Sequence, residues 1–263
     1  MIEYAVVCSV AVIVSALTLF SGFGLGTLLM PAFALFFPVT VAVAATAIVH
    51  LVNNLFKVVL VGKNANSRVV MRFAIPAAMF AAVGAYLLAY ISQMEPLVRY
   101  SIGSKSFEIT TVKVVIAVLI AAFSILDLLP RFQDLAFDEK YVPLGGVLSG
   151  FFGGLSGLQG ALRSAFLIRA GLDKEQFIGT GVVSAVIVDI SRLVIYGMTF
   201  FAKHFTTVGA HGESGLIVAG IACAWLGSFI GVRLLEKITL RSLQLIVGAM
   251  LLILSMALGA GAI

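Results

Sequence analysis

Asp189 and Arg192 stand three residues apart inside the apolar run "GTGVVSAVIVDISRLVIYG" at 179–197. That spacing puts both side chains on one face of a helix. There they can neutralise each other as a structural pair. Alternatively, Arg192 binds an anion while Asp189 carries a proton or tunes the arginine, because ionisable groups at membrane depth mark pathways or partners. A second cation, Arg163, lies in "GGLSGLQGALRSAFLIRAG" at 153–171, with no nearby acid in sequence. A guanidinium is suited to two-pronged contact with an oxyanion, and its bland alternative is snorkelling to lipid headgroups. Thr46, His50 and Asn53 recur at i, i+4 and i+7, on one helical face. They can simply bond to neighbouring helices, but an imidazole titrates near neutrality, which makes His50 a candidate proton carrier. Lys57 falls near the end of its apolar span and is expected to snorkel.

These residues must be positioned by membrane helices. Hydrophobic residues make up 61% of the 263, and charged residues only 11%, against about 25% charged in soluble domains. A water-facing surface cannot be built from such a chain. The net charge of +5 does not indicate nucleic acid, because the basic residues fall mainly in short loops between apolar spans. Cys8 and Cys223 lie in different apolar stretches without metal-ligand spacing and read as packing residues. The first apolar run lacks the basic flank of a signal peptide and reads as a mature membrane segment.

Apolar runs cover Tyr4–Phe20, Thr40–Val61, Phe73–Ile91, Val112–Leu129, Val142–Phe152, Glu175–Phe201, Gly215–Leu235 and Ser242–Ala262. The expectation is an all-α membrane protein of about eight transmembrane helices. Residues 21–39 and 153–173 are too interrupted to cross alone, and they resemble each other. "SGFGLGTLLMPAFALFFPVTVAVAAT" ends at Thr46 and "SGLQGALRSAFLIRAGLDKEQFIGT" at Thr180, so that Gly22, Gly26 and Thr46 fall on Ser156, Gly160 and Thr180. After a one-residue slip, "NNLFKVVLVG" (53–62) falls on "VDISRLVIYG" (188–197), which sets Asn54 on Asp189 and Lys57 on Arg192. The chain therefore divides into two membrane repeats, 1–129 and 142–263, joined by the loop 130–141. Basic loops at 62–72 and 236–241 fall on opposite sides, so charge bias leaves orientation open, and with it whether the halves are parallel or inverted.

Glycines at 22, 24, 26 and at 153, 154, 157, 160 mark backbone that departs from helix. Non-helical backbone at membrane depth survives only against protein or water. Helices restarting at Thr27 and Ala161 would then aim their N-termini, which attract anions, into a central site. The rival explanation is close helix packing through small residues. Gly22, Gly24, Gly26, Thr46, Gly157, Gln159, Gly160, Arg163, Thr180 and Arg192 are the candidate substrate-binding residues, with His50 and Asp189 the candidates for coupling. Enzyme chemistry finds no support. No P-loop or HExxH motif occurs, the three histidines are scattered, and "GLSGL" at 154–158 has the wrong spacing for a nucleophile elbow. No metal, cofactor or catalytic residue is expected.

The two broken segments, "GFGLGTLLMPAFALFFPVTVAVAAT" and "GGLSGLQGALRSAFLIRAGLDKEQFIGTGVVSAV", resemble those of the TauE/SafE family of sulfite and organosulfur anion exporters. Gly22, Gly24, Gly26, Pro31 and Thr46 match the first family motif; Gly157, Gly160 and Thr180 match the second. Gln159 and Arg163 stand where glycine and apolar residues are usual, and Ala165 replaces a proline, which makes this site more cationic. The resemblance implies a secondary transporter of a small anion (sulfite, a sulfonate or another organic acid), multi-pass in the cytoplasmic membrane. The lipid bilayer and the anion are its expected partners, nucleic acid is not, and a homo-oligomer stays open. The alternative is a non-transporting membrane subunit of a larger complex that retains a degenerate transporter fold.

Overall fold

The computed structural model describes residues 1–18, 25–129, 136–201, 213–234 and 240–263. Ten α-helices are found there: α1 (Ile2–Thr18), α2 (Leu25–Ala34), α3 (Val39–Val61), α4 (Ser67–Ile91), α5 (Thr111–Leu128), α6 (Val142–Ser156), α7 (Gly160–Leu167), α8 (Lys174–Tyr196), α9 (Glu213–Leu234) and α10 (Leu240–Gly259). Three stretches, Val39–Asn64, Ser67–Ile91 and Lys174–Thr199, are long and apolar enough to cross a membrane, and shorter apolar helices accompany them. Side chains set several helix starts. Asn66 accepts a hydrogen bond from the Val69 N–H, Thr110 from Lys113 and Asp173 from Gln176, each satisfying an otherwise orphaned amide. The Asn66 cap explains why α4 begins six residues before its apolar run.

The all-α expectation needs one correction. Val98–Ile102 and Lys105–Ile109 form an antiparallel hairpin, β1 and β2, closed by Gly103 and Ser104. Gly103 takes a φ of +61° while Ser104 stays at negative φ, the pattern of a type II′ turn. The hairpin is tied to the chain end: Tyr100 donates to the Ala260 carbonyl, and Lys113 Nζ to that of Gly261.

Helices pair across the middle of the sequence. α3 and α8 run antiparallel, since Gly179 near the start of α8 abuts Val61 and Asn64 while His50 meets Asp189 farther along. α5 and α10 are antiparallel too, with Gly248 against Leu128 and Gly259 against Ala117. By contrast α1 and α9 run parallel, Gly220 lying beside Val7 and Gly227 against Val12. Cys8 and Cys223, distant in sequence, are both free thiols, one on each helix of this α1–α9 seam.

α4 and α6 are also parallel, and here the glycines correct the reading of 153–156 as broken backbone. α6 continues to Ser156, and its Gly146, Gly150 and Gly154 form a stripe at i, i+4, i+8. A Cβ on these would run into the carbonyl oxygens of Phe73, Ala77 and Ala81 of α4. Small residues that let backbones touch are a main source of helix association in lipid. Gly150→Ala should therefore cost about 1–3 kcal/mol through overpacking and lower the melting temperature in detergent. Gly197→Ala, where nothing lies within 4 Å of the new Cβ, should leave that temperature unchanged.

Candidate functional site

The real interruption in the second half is three residues long. Gly157 ends α6 in the left-handed conformation, φ +82°, and α7 starts at Gly160. In the first half, α2 is described from Leu25 onward; Gly22 and Gly24 lie outside the described residues. The start at Gly160 falls one residue before the one expected at Ala161. The two segments meet: a Cβ on Gly26 would lie 2.9 Å from the Gly157 carbonyl oxygen and 3.7 Å from Thr46 Cγ2. Gly26 thus permits backbone contact between α2 and the break after α6.

Asp189 stands at the centre, wholly buried together with Arg192. Its Oδ1 accepts from Arg192 Nε at 3.0 Å, Arg192 Nη2 at 2.7 Å and Gln159 Nε2 at 3.1 Å. Its Oδ2 lies 2.6 Å from His50 Nδ1 of α3. An ionised carboxylate only accepts, so Nδ1 carries the hydrogen of that bond. Asn54, one turn on from His50, places its Nδ2 3.0 Å from Nδ1 and 3.3 Å from Nε2 of the ring. One carboxylate therefore joins α3, α8 and the break before α7.

Arg192 reaches onward. Its Nη1 donates to the Gly153 carbonyl at 3.1 Å, which also accepts the Gly157 N–H at 2.9 Å. Tyr196, one turn along α8, donates to the next carbonyl, Gly154. A hydroxyl thereby satisfies the Gly154 carbonyl in the last turn of α6, and a cation adds a second bond to the Gly153 carbonyl at an end where the dipole favours positive charge. Ser149 completes the support by donating to the Gln159 carbonyl at 3.0 Å.

Arg163 is placed differently. Its residue is half-buried, yet its Nη1 is shielded from solvent and has no hydrogen-bond partner among the described residues. Its Nε lies 3.8 Å from the Cβ position of Gly181 on α8, and it interacts electrostatically with Asp189 and Arg192. Lys57 is 8% exposed and acts on the same arginine. Snorkelling is thereby corrected for Lys57, whose α3 continues past it to Val61 and keeps its side chain inside the packed helices. Among the described residues, neither cation has an acid of its own.

Of the other candidates, Thr46 keeps a buried hydroxyl without a partner. Thr180 is occupied elsewhere: its Oγ1 accepts from the Asn66 N–H at 3.0 Å and pins the turn between α3 and α4. Sequence reasoning missed the contact of Gln159 with Asp189, the ring contact of Asn54, and the roles of Ser149 and Tyr196. Tyr196 had a legible signal, since it continues the face of Asp189 and Arg192 at i+7. Ser149, amid apolar and glycine residues, had none.

The buried pair makes a stability prediction. Asp189→Asn would leave Arg192 without its carboxylate, at a cost of about 3–5 kcal/mol, read as a lowered unfolding midpoint. Asp189→Asn with Arg192→Gln should recover most of that stability. Transport by the double variant should remain lost, because the support of Gly153 and His50 goes with the pair.

The family comparison agrees with this architecture. The family model for the sulfite exporter TauE/SafE matches residues 7–258, nearly the whole chain. No curated protein and no solved structure matches it. With apolar helices around a buried cationic site, the chain is a multi-pass membrane protein of the sulfite exporter TauE/SafE family, whose members are transporters of sulfite or related anions.

Proposed function

We propose that the chain is a secondary transporter of the cytoplasmic membrane for a small oxyanion, sulfite or a sulfonate, bound first by Arg163 and Lys57. The observation that carries this reading is the shielded, unpartnered Nη1 of Arg163 beside a second buried cation. With His50 neutral, the site groups three cations, Lys57, Arg163 and Arg192, against the single carboxylate of Asp189. Buried charge left unbalanced costs several kcal/mol, and an anion from solution offsets that cost. Arg192 spends its donors on Asp189 and Gly153, so its part is to hold the break and add positive field. Ser184, one turn beyond Gly181, keeps a buried hydroxyl without a partner and supplies a further donor to an oxyanion. Thr46 does the same from α3.

The reciprocal pairing of helices supports two inverted repeats, 1–129 and 142–263, about the α3–α8 crossing. Antiparallel packing of equivalent helices, α3 on α8 and α5 on α10, is what an axis in the membrane plane requires. The sequence holds no P-loop motif, so ATP-driven transport would need a separate subunit.

Sulfite binding to the purified protein, measured by calorimetry, tests the site. Arg163→Gln should weaken affinity about ten- to a hundredfold, the loss of one charge-assisted bond worth about 1.5–3 kcal/mol, with little change in unfolding temperature. Unchanged affinity in a folded variant would remove Arg163 from the site. Flux into proteoliposomes holding this chain alone separates a carrier from a non-transporting subunit.

A further inference from the structure

We propose that His50 is the proton-binding group of the transport cycle, so that a proton and the anion enter the site together. The inference rests on the anion-transport reading and adds its coupling ion. His50 lies on α3 and is 4% exposed, and its contact with Asp189 joins residues 139 apart in sequence across the α3–α8 crossing. Its Nδ1 hydrogen stays committed to Asp189 Oδ2 in either protonation state. Nε2 is the atom that gains and loses the proton: a solvent proton adds to its lone pair, the ring becomes imidazolium, and release reverses the step. In the neutral ring Nε2 accepts from Asn54 Nδ2, 3.3 Å away. Once protonated it donates, and half a turn of the Asn54 amide presents Oδ1 in place of Nδ2.

Charged groups from two further helices surround this histidine. From α8 it faces Asp189 and Arg192, and from α7 it feels Arg163. Lys57 shares its helix, and no other charged group among the described residues acts on the ring. Arginines stay charged throughout the physiological range. Asp189 accepts hydrogen bonds from His50, Gln159 and both Nε and Nη2 of Arg192, which hold it ionised. The imidazole, hydrogen-bonded to Asp189 at one nitrogen and to Asn54 at the other, is a group suited to exchanging a proton under physiological conditions. Its proton would add positive charge beside Arg163 and Lys57, where the anion is proposed to bind. Each ligand then strengthens the other, and linkage makes the effect reciprocal.

The test is calorimetric titration of the purified protein with sulfite in buffers of different ionisation enthalpy, which counts protons taken up per anion bound. Wild type should take up close to one proton more than His50→Gln, sulfite's own ionisation being common to both. Wild-type affinity, corrected for that ionisation, should fall by up to about tenfold per pH unit above neutrality. The variant's corrected affinity should not change with pH. Wild type titrated with methanesulfonate, a permanently ionised anion, gives a second reading that depends on no variant and should again show proton uptake. Anion binding with equal proton uptake in wild type and His50→Gln, or none with methanesulfonate, would overturn the coupling role and leave the anion site standing. If wild type binds neither anion at any pH, the anion-transport reading itself falls, and this inference with it.

Discussion

A carboxylate buried among apolar helices must find both a counter-charge and donors where it stands, since water supplies neither. Asp189 meets that demand with His50 from α3, Gln159 from the break before α7, and Arg192 from its own helix. Each partner is tied to something else. Arg192 holds the Gly153 carbonyl at the end of α6, and Ser149 of α6 holds the carbonyl of Gln159. The short stretch of non-helical backbone at 157–159 is therefore fixed by side chains from two helices. The remaining packing can bring α6, α7 and α8 together, but this carboxylate sets their mutual geometry.

Two kinds of glycine serve that geometry. Gly146, Gly150 and Gly154 remain helical and let α6 lie against the α4 backbone. Gly157 takes a positive φ, which a side chain would strain, and turns the chain out of α6 toward α7. Gly26 lies within α2 and against the Gly157 carbonyl. The site thus sits where the backbone is least regular and its surroundings most closely packed. Irregular backbone in a membrane protein is tolerated only where other protein or water can satisfy it.

The electrostatic consequence is an imbalance. Asp189 is saturated by its own hydrogen-bond partners, so Arg163 feels its charge without a hydrogen bond to it, and neither Arg163 nor Lys57 forms an ion pair with an acid among the described residues. In a soluble protein water would screen such cations. Among apolar helices their attraction for an anion is less screened, because the effective dielectric is low. The same burial that makes the site costly to build leaves its positive charge weakly screened.

Composition and apolar run length determined the class by themselves, because about twenty consecutive apolar residues have few stable environments besides a bilayer. The pairing of Asp189 with Arg192 was equally legible, since an i, i+3 spacing is a local property of a helix. So was the helix restart in the second half, to within one residue. The glycines of 153–156 could not be sorted by sequence, because a glycine that breaks a helix and one that admits a neighbouring backbone are the same residue. Only the position of α4 distinguishes them. The hairpin at 98–109 was hidden in a polar break too short to reveal its pairing. Nothing local joins His50 to Asp189, or brings Arg163 and Lys57 together. Those relations depend on which helices pack together and in which direction, and burial then decides which charges are closely paired and which are not.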